Sequence, residues 1–430
     1  MAQAPSTILT RPLTTLLPQG KVELEAQRLG VVVRRRTVHI HTLVWTLVLG
    51  FQEGARRSIA TLHWAYQKAT GHHLSRSSFY ERFTPKLATL LRNLAQEAIT
   101  SLGPASGMPP PLLASFRELL ALDATVVRLH ALLAKAYAAC RTNHTQAAAK
   151  LHVVMNVLDG SPSRVKLTPE RVHDQTPWRR LGLWVQGCLL LFDLGYFCYH
   201  LFDRIDQNGG FFLTRLKANA NPTIVALHRQ WRGQSIEVVG KRLKEVLPSL
   251  RRQVLDVEVE VQFQRRAYLG YQSRARRTFR LIAIRRQETG EYHAYLTNLP
   301  ADQLPAEDVQ AVYALRWQVE LLFKALKTHG RLEQLPSSNQ AIVEAWVWAS
   351  VLAAAASQAL YRLIRASVPQ ERFMPLLRWA AVFSRTVTDL LRLLLHPNTS
   401  EADRLMSILV REAMDPNVNR KKRAINLSRA

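Results

Sequence analysis

The sequence predicts an α/β fold: a mixed β-sheet flanked by helices, with an inserted antiparallel β module and a helical N-terminal domain. Three observations carry this expectation. Between residues 119 and 216, short apolar runs alternate with helical stretches. From 254 to 299, apolar and polar residues alternate singly, the pattern of half-exposed antiparallel strands. Outside those regions, before 100 and after 305, the pattern is helical.

Residues 1–105 form the expected helical domain. Ser58 to Ala69 reads as a helix, Gly71 in Thr70-Gly71-His72-His73 supplies a turn, and Ser75 caps a second short helix through Phe83. This is a helix-turn-helix outline, with Arg76, Ser78, Tyr80 and Arg82 on the helix that would read DNA. The competing reading is a helical hairpin that binds nothing. Ser101 to Pro111, with Gly103, Pro104, Gly107 and three consecutive prolines, reads as a linker, so removal of residues 1–105 is expected to leave the sheet folded.

Residues 106–225 hold the first part of the sheet. Leu119 to Leu129 is an apolar strand broken by Asp123. Leu151 to Leu158 is a second, closed by an Asp159-Gly160 turn, and Arg164 to Thr168 a third. Trp178 to Gln186 reads as a helix. Cys188 to Phe192 is a continuous apolar run, suited to a buried strand, and stops at Asp193; Gly210 to Leu216 gives the fifth strand. Residues 226–304 are read as a separate β-rich module, with strands at 255–263, Thr278 to Arg286 and Glu291 to Leu299. Residues 305–370 return to the core as helices, and 371–430 are helical with a basic tail, Arg420-Lys421-Lys422-Arg423.

The chain has 430 residues, 47% of them apolar and 21% charged, the balance of a folded protein of several domains. A net charge of +26 suits a polyanionic partner, nucleic acid or an anionic surface. Three cysteines without a CxxC pair argue against a disulfide framework or structural zinc and fit a reducing cytoplasm. No signal peptide is read at the N-terminus. Ala345 to Tyr361 carries no charge, but it is alanine-rich, contains Ser350, Ser357 and Gln358, and falls short of a membrane span. A buried helix is expected, and no membrane.

The chemistry concentrates at Asp308 to His329. At about 100° per residue, Tyr313, Arg316, Glu320 and Lys327 fall on one stripe, with Lys324 beside it. Val312, Leu315, Val319, Leu322, Phe323 and Leu326 occupy the adjacent arc, which packs on a core. Taken alone, this is a charged face with i,i+4 ion pairs, Glu320 with Arg316 or Lys324. Asp123 and Asp193 change the balance. Each could be a turn residue. Two strand carboxylates and a helix carboxylate are also what a pair of Mg²⁺ ions requires, for hard cations prefer carboxylate oxygen.

The spacing Tyr313-x2-Arg316-x3-Glu320-x6-Lys327 resembles the YREK signature of DDE insertion-sequence transposases. Ala121-Leu122-Asp123-Ala124-Thr125, Phe192-Asp193-Leu194-Gly195-Tyr196-Phe197, Phe212-Leu213-Thr214-Arg215-Leu216-Lys217 and Tyr295-Leu296-Thr297-Asn298-Leu299 are similar to its surroundings. The resemblance spans about residues 115–340 and implies a ribonuclease-H-like core. It implies a catalytic, metal-holding triad of Asp123, Asp193 and Glu320 with two Mg²⁺ ions, replaceable by Mn²⁺. DNA contacts are implied for Tyr313, Arg316, Lys324 and Lys327. The implied partners are terminal inverted repeats and target DNA, held by a homodimer at the bacterial nucleoid in the cytoplasm, with cut-and-paste chemistry through a hairpin. The alternatives are a transposase-derived DNA-binding protein without catalysis and a ribonuclease-H-like structure-specific nuclease.

Other motifs fade. Gly233 to Lys241 lacks phosphate-loop spacing, and the histidines have no metal-ligand spacing with carboxylates. His173-Asp174 reads as a polar turn or as support for a metal site. In the insertion, Tyr268, Tyr271, Phe279, Tyr292 and Tyr295 interleave with Arg265, Arg266, Arg274, Arg276 and Arg277. Either they clamp an unstacked base, Tyr271 foremost, or they are core aromatics with solvated arginines.

Overall fold

Each apolar run read from the sequence becomes a strand of one sheet. The computed structural model describes residues 7–32, 38–50, 58–103, 109–140, 145–228, 236–265, 271, 273–328, 332, 335, 337–368 and 374–414. The strands are β1 (Glu118–Leu129), β2 (Ala147–Asn156), β3 (Pro162–Pro169), β4 (Cys188–Phe192), β5 (Phe211–Arg215), β6 (Thr223–Leu227), β7 (Val254–Gln264), β8 (Arg274–Arg285) and β9 (Tyr292–Thr297). Their order is β3-β2-β1-β4-β5-β9-β8-β7-β6. Strands β1, β4 and β5 are parallel neighbours, and every other pairing is antiparallel. This is the mixed sheet flanked by helices that the sequence predicts, consistent with a ribonuclease-H-like core.

The inserted strands are antiparallel as expected, but they are not a separate module. Strand β9 pairs with β5, Leu213 opposite Thr297, so the insertion extends the core sheet. Without it, β5 would be an open edge with unpaired backbone groups.

Helices cover both faces. They are α1 (Thr10–Leu16), α2 (Gln19–Arg28), α3 (Ile40–Leu49), α4 (Ile59–Thr70), α5 (Arg76–Tyr80), α6 (Pro85–Leu102), α7 (Tyr199–Gln207), α8 (Leu243–Val246), α9 (Val309–Ala314), α10 (Gln318–Thr328), α11 (Gln340–Ala366), α12 (Leu376–Leu395) and α13 (Thr399–Ala413). Alternate residues of β1 and β4 point to two different cores. Leu119, Ala121, Leu189 and Leu191 join α9 to α12 and the N-terminal helices, while Leu120, Leu122, Leu190 and Phe192 join α7 and α8. The helix expected at Trp178 to Gln186 is absent. Two single 3₁₀ turns stand there, Thr176–Trp178 and Leu183–Val185, because Gly182 between them is extended, with φ −112° and ψ −168°.

The helices before 101–111 pack on the elements that follow it. Apolar residues of α1 to α4 and α6 lie in the same core as α11 and α12. The Arg362 guanidinium ties them together, donating to the Leu102 carbonyl at the end of α6 and to Asp159 in the β2–β3 turn. Gly160 in that turn has φ 76°, and a Cβ there would meet Leu376 at 2.6 Å, so only glycine admits the close approach of α12. Helix α11 is the apolar segment read as buried. Among the described residues it alone has the length and hydropathy of a membrane span, yet 67% of its most apolar stretch is buried.

Candidate active site

The register of β1 against β4 builds the site. Leu122 lies opposite Phe192, so the next residues, Asp123 and Asp193, come side by side at the end of two parallel strands. Asp193 keeps an extended backbone, φ −78° and ψ 164°, and opens a 3₁₀ turn, Leu194–Tyr196. Alternation from Ala121 and Leu191 points both carboxylates to the face covered by α10. Helix α10 seats Val319, Phe323 and Leu326 in the core and carries Glu320 in its first turn. The signature rod is not uniform: Leu315–Trp317 winds as a 3₁₀ turn between α9 and α10.

Arg316 in that turn joins the carboxylates. Its Nη2 donates to Glu320 Oε1 at 2.5 Å, and its Nη1 lies 3.5 Å from Asp123 Oδ2. The i,i+4 pair expected on the helix therefore forms, with Arg316 rather than Lys324. Burial pushes the Asp123 carboxyl up to about 6; the Ala124 N–H and Arg316 oppose the shift, while Asp193 and Glu320 add to it. The three acidic groups repel one another, and a cation relieves that repulsion. Among the described residues, no three acidic, histidine or cysteine side chains close on a single ion position. Mg²⁺ does not need that, since it takes one or two carboxylates and completes its shell with water and phosphate. The donor set fits divalent ions of this kind.

Tyr313 is turned to the fold. Its hydroxyl donates to the Phe192 carbonyl at 3.2 Å, beside Thr214, whose hydroxyl donates to the same oxygen at 3.4 Å. Its ring packs edge-on against Tyr295, and burial pushes the phenol up to about 12. The phenol so fastens the strand end that presents Asp193. Lys324 is exposed and Lys327 half-buried, and neither has an ion pair among the described residues.

A match to the model of the transposase DDE domain covers residues 114–355, which contain Asp123, Asp193 and Glu320. This chain belongs to the DDE transposase family. It is 25% identical over 344 residues to the transposase for insertion sequence element IS231B of Bacillus thuringiensis subsp. berliner, covering 73% of this chain and 71% of that protein. The transposase for element IS231D of Bacillus thuringiensis subsp. finitimus is likewise 25% identical over 330 residues, 70% of this chain and 69% of that one. The protein is a DNA transposase, and DNA is its partner. The family generally uses divalent metals.

Other residues singled out from the sequence lie elsewhere on the transposase. Arg76 and Tyr80 are exposed on α5 and line one cleft with Ile59, Ala60 and His63 of α4. The second helix of the helix-turn-helix outline is only 5 residues long and stops before Arg82, which is half-buried. In the insertion, Phe279 and Tyr295 are core residues, and the Tyr292 hydroxyl donates to backbone carbonyls, so the core reading holds for them. Tyr271 is 84% exposed; Tyr268 and the basic tail lie outside the described residues. A polar cleft of about 470 Å³, bordered by Phe197, Tyr199, Lys217, Asn221 and Arg242, separates the turn after Asp193 from β7. Sequence reasoning did not single out Lys150, which ion-pairs with Asp174 behind that turn. The two are 24 positions apart and no local pattern links them.

Proposed function

We propose that this transposase works by cut-and-paste, cleaving at the element's terminal inverted repeats and joining the freed 3′-hydroxyl to target DNA. The observation that carries the reading is the adjacency of Asp123 and Asp193 across β1 and β4, facing Glu320 on α10. Asp123, Asp193 and Glu320 hold two Mg²⁺ ions, for which Mn²⁺ substitutes. Held by these carboxylates, two such ions would supply activation of the attacking oxygen and charge stabilisation of the leaving one. The chain's own groups orient and hold: Tyr313 and Thr214 fix the strand end before Asp193, while Lys324, Lys327 and Arg316 take phosphates of the bound end. Arg76, Tyr80 and Arg82, in the domain of residues 1–105, serve recognition of the repeats. Two copies act together on paired ends. Tyr271, exposed in the connection between β7 and β8, clamps an unstacked base during hairpin formation.

The test resolves nicked, hairpin and released products on duplex ends in stepwise gel assays with Mg²⁺ or Mn²⁺. Wild type is expected to show all three in order. Tyr271→Ala is expected to nick normally and slow the next step, with less effect on pre-nicked ends carrying a mismatch. Equal slowing of every step would replace the clamp by a plain folding defect, and cleavage without added metal would remove the metal reading.

Phosphate contacts leave a second signature. Lys327→Gln or Arg316→Gln is expected to weaken end binding and cleavage, and to flatten log K against log salt by about 0.9 per lost contact. Binding isotherms at several salt concentrations measure the slope. An unchanged slope with unchanged cleavage would leave Arg316 as an ion-pair partner of Glu320 and nothing more.

A further inference from the structure

A half-buried ion pair, Lys150 with Asp174, lies on the opposite face of β1 and β2 from the three carboxylates. In the register, Val153 faces Asp123, so Lys150 and His152 of β2 point the other way, toward the smaller core. The Lys150 side chain is 13% exposed, and its Nζ donates to the Val172 carbonyl at 3.1 Å and to Asp174 Oδ1 at 2.8 Å. Both partners lie in the loop that follows β3. The other Asp174 oxygen reaches the turn after Asp193: a Cβ on Gly195 would stand 3.1 Å from Oδ2. One residue on, the Gln175 side-chain amide donates to the Phe197 carbonyl at 3.1 Å. Between the two holds, Tyr196 is 1% exposed and wedged into the core. The turn is held at Tyr196 and Phe197 and backed by the Asp174 carboxylate beside Gly195, whereas Asp193, which precedes it, makes no capping bond of its own.

We propose that Asp174, held by Lys150, is a positioning residue for Asp193. The pair pins the turn Leu194–Tyr196 from behind, and that turn sets where the Asp193 carboxylate stands. The pair therefore governs metal affinity and leaves DNA affinity alone. A carboxylate held by a neutral or missing partner would let the turn drift, as loss of the outer partners of metal ligands does. This rests on the reading that Asp193 holds metal.

Mn²⁺ binding to the full chain, followed by calorimetry or by the spin signal of the free ion, tests it without recourse to activity. Asp174→Asn and Lys150→Met are each expected to weaken Mn²⁺ binding about 10- to 100-fold. Binding of inverted-repeat DNA in metal-free buffer should stay at the wild-type level. The double variant should be no weaker than Asp174→Asn alone, because the pair acts as one unit. Hydrogen exchange of the amides of 194–197 should quicken in both variants, with that of β4 unchanged. Gly195→Ala keeps the ion pair and disturbs only the contact, so it carries the same expectation if Asp174→Asn lowers Tm. Asp193→Asn is the control. Loss of Mn²⁺ binding in that control, with wild-type binding in the Asp174 and Gly195 variants, overturns the positioning role alone. Wild-type binding in Asp193→Asn overturns the metal triad and the positioning role together.

Discussion

Asp123→Ala, Asp193→Ala and Glu320→Ala are each expected to abolish strand cleavage while leaving the protein folded and bound to inverted-repeat DNA. A metal ligand contributes several kcal/mol of transition-state stabilisation, and each 1.36 kcal/mol is tenfold in rate, so a loss of about 1,000-fold or more is expected. Stability should not follow activity. Asp123 lies among like charges, and its carboxyl is raised to about 6 by burial, with Asp193 and Glu320 adding to the shift. A carboxyl raised in the folded state binds its proton more tightly there than in the unfolded chain. Asp123 should therefore contribute a loss of stability as pH rises from about 4 to about 6, against the gain that buried His152, held down to about 4, gives over the same range, so the contribution is read as the difference between metal-free wild type and Asp123→Asn. Asp123→Asn removes this contribution and should match or exceed wild-type stability at neutral pH. Urea unfolding across that range reads the difference, and product gels read the cleavage. Near-wild-type cleavage by any of the three alanine variants in Mg²⁺ would exclude that residue from the triad.

The site is legible in the sequence to the extent that it is local. Asp123 and Asp193 stand out because each interrupts or ends a run of apolar residues, where a carboxylate costs free energy unless it has a task. Glu320 stands out because helical spacing sets it among cations on one stripe. The strand runs emerge for the same reason, and Cys188–Phe192 keeps its predicted bounds. Non-local pairing is what escapes. Nothing in Leu213 or Thr297 announces that β5 and β9 meet. Tyr313 looks like a DNA-facing phenol until the structure brings its hydroxyl to the Phe192 carbonyl, 121 positions away. The Arg316–Glu320 pair follows from helical spacing, but nothing in the sequence brings Arg316 to Asp123 as well, 193 positions away. Trp178 to Gln186 has helical composition, yet one extended glycine divides it.

Arg362→Met is expected to destabilise the whole chain rather than detach its N-terminal part. The Asp159 side chain is 2% exposed, and it accepts from Arg362 Nε at 3.0 Å and Nη2 at 2.8 Å. Taking away the cation deprives a buried carboxylate of the Arg362 ion pair, although Ser161 still donates to it, at a cost of about 3–5 kcal/mol. Arg362 also donates to the Leu102 carbonyl, so one side chain on α11 holds the end of α6 and the β2–β3 turn at once. Around it, α11 packs on α1, α3 and α6, while His396 just past α12 bonds to the Ala69 carbonyl of α4. Deleting residues 1–105 would bare the face of α11 that carries these contacts, and a large exposed apolar patch leads to association. The truncated chain is expected to aggregate, against the independence that a proline-rich linker suggests. Urea midpoints should show one cooperative transition, shifted downward in Arg362→Met, with Asp159→Asn/Arg362→Met recovering part of the loss because no unpaired charge remains. A monomeric, cooperatively folding 106–430 fragment, or an unchanged midpoint in Arg362→Met, would show that the N-terminal helices sit on the sheet domain without supporting it.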